Sequence, residues 1–108
     1  MAVINNIKAV TEALEVAMER DKNVIVFGED VGTEGGVFRA TQGLQQKFGI
    51  ERSFNAPISE AMFAGVGMGM AMNGMKPVVE LQFQGLGLPA LQNIIANISR
   101  MRNRSRGK

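Results

Sequence analysis

Val24-Ile25-Val26-Phe27, inside RDKNVIVFGEDVGTEGG (Arg20 to Gly36), decides how this chain is read. Four consecutive apolar residues, three of them β-branched, leave the run without a polar face. Such a run reads as an interior strand of a parallel sheet, covered on both sides. Gly28 closes it, and Glu29 to Gly36 form a loop with three glycines. Upstream, Ile7, Val10, Leu14 and Met18 recur at helical spacing, with Ala13 and Ala17 widening the stripe. This predicts an amphipathic helix that starts near Asn5 or Asn6 as cap and ends near Asp21.

Downstream, a short helix is expected from Thr41 to Phe48, ended by Gly49. Arg52 to Asn55 reads as a brief strand. Pro57 breaks the chain, and Ser59 is placed to cap a helix from Glu60 to about Asn73. Gly74 can stop that helix and Pro77 confirms the stop. Val78 to Phe83 reads as a strand, Gly85 and Gly87 loosen the next loop, and Leu88, Leu91, Ile94, Ile95, Ile98 and Met101 mark a final amphipathic helix. Helices alternating with short apolar strands imply an α/β layer fold with a mostly parallel sheet. Ligands in such folds sit beyond the carboxyl ends of the strands, where the loops at Glu29 and Gly85 both reach.

The 108 residues and 45% hydrophobic content suit one packed domain. Cysteine, histidine, tyrosine and tryptophan are all absent. Thiolate chemistry is excluded, and carboxylates remain as the only acids or bases useful near neutrality. The missing cysteines suit a reducing compartment, so a cytoplasmic location is expected. A zinc site is not expected, since every remaining ligand is an oxygen. The opening MAVINNIKAV lacks the form of a secretory leader. The apolar run Ala61 to Met72 is too short to span a bilayer, so no membrane partner is expected. Five of the 12 basic residues fall in the last nine positions, which leaves seven basic against ten acidic groups in the rest. The tail from Arg100 to Lys108 has no aromatic residue to stack a base, so it speaks weakly for nucleic acid and better for a solvated end of the last helix.

The stretch PISEAMFAGVGMGMAMNGMKPVVE (Pro57 to Glu80) sets one acid, Glu60, at the start of an otherwise uncharged run lasting to Lys76. A charge there either serves the first turn of a helix through the macrodipole or is kept dry to handle a proton. The glycines of the run fit neither phosphate motif. The third small residue of a dinucleotide fingerprint is replaced by Met70 or Met72, and Met75 stands where a phosphate-loop lysine must follow. Gly65 with Gly69, and Gly67 with Ala71, instead suggest close packing at a helix or subunit contact, with the methionines as adaptable filler. Glu80, in the expected last strand, needs water, a partner or a basic residue to face.

Three ordered stretches together resemble one family: FGEDVGTEGGVFRATQGLQQKFG (Phe27 to Gly49), PISEAMFAGVGMGMAMNGMKPVVELQF (Pro57 to Phe83) and RMRNRSRG (Arg100 to Gly107). They resemble the β subunits of the thiamin-diphosphate-dependent decarboxylating components of 2-oxo acid dehydrogenase complexes, above all the bacterial pyruvate dehydrogenases. The resemblance implies a thiamin-diphosphate-binding α/β fold. Residues 1–108 would be the N-terminal part of a transketolase-like pyrimidine-binding module, with a basic tail at 100–108. It implies an α2β2 assembly in which the α subunit holds the diphosphate and magnesium, and which passes acetyl groups to a lipoyl acyltransferase core.

By the same resemblance Glu60 faces the pyrimidine, where a carboxyl bonded to N1′ favours the imino tautomer that deprotonates C2 of the thiazolium. Glu29 matches an acid that helps link paired active sites. Gln82 and Leu86 match positions lining the pyrimidine pocket, Leu86 standing where many members have phenylalanine. Family members continue well beyond 108 residues, and a catalytic histidine lies in that further part, so this chain is expected to be inactive alone. Branched-chain 2-oxo acids and acetoin remain alternative substrates. A shortened, non-catalytic interaction protein using α-helical and tail surfaces is the alternative of another class.

Overall fold

The computed structural model describes residues 4–107. Three parallel strands form its sheet in the order β2-β1-β3. They are β1 (Val24–Gly28), β2 (Ser53–Asn55) and β3 (Lys76–Val79). The helices are α1 (Asn6–Arg20), α2 (Leu44–Phe48), α3 (Glu60–Met72), α4 (Leu88–Asn93) and α5 (Ser99–Arg104). A 3₁₀ turn (Gln84–Gly87) leads into α4, and a π turn (Ile94–Ile98) joins α4 to α5.

The central strand is covered on both faces, as its apolar run requires. Val24 and Val26 pack with Met18 of α1, Val31 and Leu44, with Leu14, Ala17 and Phe48 around them. Phe27, pointing the other way by the period of two, stacks on Phe54 at 5.4 Å and meets Phe63 of α3 edge-on at 6.2 Å. Helices α1 and α2 therefore cover one face of β1 and α3 covers the other.

Local chemistry accounts for the element boundaries. Asn5 caps α1 by accepting from the Lys8 N–H at 2.8 Å, as the sequence predicts. Helix α2 starts three residues later than expected. The Thr41 hydroxyl is buried and donates to the Val31 carbonyl instead, and Gly43 takes a left-handed φ of 84°. Ser59 does not cap α3 with its side chain; only its carbonyl joins the ladder, accepting from Phe63 N at 2.9 Å.

Strand β3 lies earlier than the expected Val78 to Phe83. Lys76 and Glu80 donate to Asn23 and Phe27, so Pro77 belongs to the alternate set facing away from β1, where its missing N–H costs nothing. Beyond Glu80 the neighbouring strand has already ended at Gly28, and β3 loses its partner. Helix α3 is less enclosed than expected. A Cβ on Gly67 would sit 2.9 Å from Val79 Cγ2, so this glycine serves the contact with β3, whereas Gly65 and Gly69 face open space.

Arg52 locks α1 to the sheet. Its guanidinium donates to the carbonyls of Met18, Asp21 and Val24 at 2.8–3.2 Å and lies over the Phe48 ring. The Met18 and Asp21 carbonyls sit at the C-terminal end of α1, where acceptors lack helical partners, and Val24 opens β1. Charged hydrogen bonds of this kind contribute roughly 1.5–3 kcal/mol. Arg52→Ala is expected to cost about that much in urea denaturation, and Arg52→Lys to recover only part, because an ammonium lacks the planar fork.

Candidate functional site

Because all three strands are parallel, their carboxyl ends share one edge of the sheet. Every residue singled out by the sequence follows one of those ends. Glu29 is the first residue after β1, Glu60 opens α3 after β2, Gln82 lies in the bend after β3, and Leu86 lies in the 3₁₀ turn beyond. Gln82 is half-buried, and Leu86 is exposed at 44%. Among the described residues, the Glu60 carboxylate makes no hydrogen bond or ion pair. The fold thus gathers the four on one edge without bonding them to each other.

The edge is held firmly. Asn55, the last residue of β2, accepts from Gly32 N at 2.6 Å and ties the loop after β1 to β2. Asp30 takes a left-handed φ of 56°, and its carbonyl accepts from Gly36 N at 2.7 Å. Phe38 of the same loop meets Phe83 edge-on at 5.5 Å, which joins it to the segment after β3. That segment frames an apolar hollow of about 670 Å³ lined by Leu81, Phe83, Gly85, Leu88, Leu91 and others. Gln82 and Leu86 alternate with these lining residues and do not line the hollow themselves.

Glu80 is the residue the motif reading left unassigned. It sits against Gly28, where an added Cβ would come within 2.7 Å of the Glu80 carbonyl oxygen, so the glycine permits the approach. One Glu80 carboxylate oxygen is shielded from water and has no partner, although the side chain as a whole is only half-buried. Burial, then the charges of Glu29 and Asp30, push the Glu80 carboxyl above its ordinary range. The signal available in the sequence was an acid inside an apolar strand. That it meets Glu29 and Asp30 depends on the pairing of β3 with β1.

A raised folded-state pKa favours folding while both states are protonated, and that contribution is lost as pH rises through the folded value. Glu80→Gln is therefore expected to raise Tm near pH 7. The gain should shrink to nothing as pH falls below the ordinary carboxylate value. Because the group is only half-buried and solvent screens part of the effect, the gain is about 1 kcal/mol or less. Thermal melts of both forms from pH 3 to 8 check it.

The sequence matches the transketolase pyrimidine-binding domain over residues 2–106. The chain belongs to that family. The open three-stranded parallel sheet flanked by helices is consistent with an incomplete α/β domain of that family, in agreement with the expected class. Among curated relatives of this pyrimidine-binding domain, the pyruvate dehydrogenase E1 component subunit beta of Mycoplasma genitalium is 54% identical over 104 residues, covering 96% of this chain and 32% of that protein. The subunit of the same name from Bacillus subtilis is 45% identical over 108 residues, covering 100% and 33%. The 2-oxoisovalerate dehydrogenase subunit beta of Bacillus subtilis is 48% identical over 105 residues, covering 97% and 32%. The chain thus spans about a third of the length of the curated relatives it matches. Among its described residues no helix is long and apolar enough to cross a membrane.

Proposed function

We propose that this chain forms the pyrimidine half of a thiamin-diphosphate site in a 2-oxo acid dehydrogenase β subunit, with pyruvate as substrate. The observation that supports it best is the unpaired Glu60 carboxylate, which opens α3 at the carboxyl edge of the sheet in a pyrimidine-binding domain. A partner-free acid on the same edge of the sheet as the apolar Leu81 and Phe83 segment fits a flat ring that presents a basic nitrogen and two apolar faces. Glu60 would hold a proton at ring nitrogen N1′. Leu86 would cover a ring face, and Gln82 would line the pocket with its amide. Glu29 would help link paired active sites. When bound, thiamin diphosphate supplies a thiazolium that takes up the electron pair released as the substrate loses CO2.

Among the described residues no group of three carboxylates is arranged to hold a metal ion. In this reading an α subunit holds the magnesium and the diphosphate, α2β2 is the working assembly, and the acetyl group passes to the lipoyl acyltransferase core in the cytoplasm. The chain alone is expected to turn over no pyruvate.

A branched-chain substrate is the second reading. In Bacillus subtilis the 2-oxoisovalerate relative is 48% identical and the pyruvate relative 45%, so identity there favours neither strongly. The higher identity to the Mycoplasma pyruvate subunit supports pyruvate. Reconstitution with the α subunit separates the two. A kcat/KM for pyruvate at least about tenfold above that for 3-methyl-2-oxobutanoate is expected, since a few methyl groups discriminate by roughly 10–200-fold. The reverse preference would make this a branched-chain enzyme, and no turnover of either would favour a non-catalytic interaction protein.

A further inference from the structure

Asn93 belongs to α4, but its side chain acts on α3. Its Nδ2 donates to the Ala61 carbonyl oxygen at 2.8 Å, one residue beyond Glu60. Asn93 Oδ1 accepts from Asn97 Nδ2 at 2.8 Å. Asn97 Oδ1 accepts from Arg104 Nη1 at 3.2 Å. Each amide thus accepts from one neighbour and donates to the next, and the chain has a single polarity from the Arg104 guanidinium to Ala61. Bonds in such a series polarise one another, so the cation at one end strengthens the donor at the other. The series crosses the π turn Ile94–Ile98, a kind of interruption that concentrates at functional positions.

The first turn of α3 needs this support. Ser59 gives it no side-chain cap, and an uncapped start is prone to fray. Three glycines, Gly65, Gly67 and Gly69, weaken the helix further. The bond from Asn93 fixes the Ala61–Met62 peptide plane and with it the turn that carries Glu60.

We propose that Asn93 is the positioning residue for Glu60: by donating to the Ala61 carbonyl it tethers the uncapped first turn of α3 to α4 and fixes the direction in which the carboxylate projects. This rests on the reading of Glu60 as the acid facing the pyrimidine.

The test is a double-mutant cycle in the assembled α2β2 enzyme, read as thiamin diphosphate affinity by titration calorimetry and as the pH profile of kcat. Asn93→Asp keeps the shape but sets a carboxylate against the Ala61 carbonyl. It is expected to weaken cofactor binding about three- to tenfold and to shift the pH profile. Asn93→Gln, which keeps the donor, is expected to recover part of the loss. In a Glu60→Gln background, Asn93→Asp should change affinity by less than about twofold, because coupled residues are not additive.

Full additivity, or wild-type affinity in Asn93→Asp while Glu60→Gln is impaired, would overturn the role of Asn93 and leave that of Glu60 standing. Unchanged affinity and turnover in Glu60→Gln would overturn the underlying reading first. If Asn93→Asp does not assemble, Asn97→Ala breaks the series one bond further out. It is expected to cost about two- to threefold in affinity, lost again in the Glu60→Gln background, and additivity there would equally overturn the proposal.

Discussion

Glu60→Gln, in the β subunit assembled with its α partner, is expected to lower pyruvate decarboxylation by about 10²–10⁴-fold, the range that a positioned proton-transfer group contributes. Glutamine keeps the size of the side chain and one oxygen, and its amide can still donate a hydrogen bond. It cannot take up or release a proton at N1′. Cofactor affinity should therefore fall much less than turnover, and the loss should appear in kcat rather than in KM for pyruvate. The competing account makes Glu60 a first-turn acid serving the helix dipole. That role is worth roughly 0.3–1 kcal/mol of stability and nothing in turnover. The two accounts predict opposite pairs of results: a large kinetic loss with a near-normal melt, or a slightly lower melt with normal kinetics. Steady-state decarboxylation and thermal melts on the same preparations decide between them.

Phe27→Ala is expected to be the most destabilising single change in the core. Phe27 is 1% exposed and lies at the centre of the sheet, stacked on Phe54 and edge-on to Phe63. Emptying such a site costs about 3–5 kcal/mol in transfer and cavity terms. Each aromatic pair adds roughly 0.5–1.5 kcal/mol beyond area alone. A domain of this size has about 5–15 kcal/mol in total, so the variant should sit near the edge of folding. Phe54→Ala is the comparison, since Phe54 is only half-buried and should cost less. Urea denaturation followed by circular dichroism measures both. Equal losses at the two positions would mean that the face under α3 is not the packed core described.

The layer architecture was legible because it rests on local periodicity. A run without a polar face at Val24 to Phe27 needs cover on both sides, and α1 and α3 supply it. The Asn5 cap and the stop at Gly49, whose φ is 90°, follow from side-chain and backbone preferences readable one residue at a time. What failed depended on contacts distant in sequence. Thr41 suits a helix by sequence, but its hydroxyl donates to Val31, ten residues back. Strand β3 slid toward Lys76 because its limits are set by where β1 begins and ends. Ser59 had the right type and place for a cap and did not form one.

The same division holds for the candidate site. Resemblance points to Glu60, Glu29, Gln82 and Leu86, and parallel topology brings them to one edge of the sheet. In the sequence Glu80 is only an acid within an apolar strand, since nothing local says that it faces Glu29 and Asp30. Asn93 gave no sequence signal at all: its partner lies 32 residues away, and its neighbours mark only an amphipathic helix.

The proton at N1′ is the heart of the account, and it can be observed directly. Thiamin diphosphate labelled with ¹⁵N at N1′, bound to the assembled enzyme, reports by its nitrogen chemical shift whether that atom carries or shares a proton. A protonated or proton-sharing N1′ in the wild type, reverting in Glu60→Gln to an unprotonated pyrimidine nitrogen that only accepts an amide hydrogen bond, is the predicted result. The same nitrogen shift in both proteins would contradict the account.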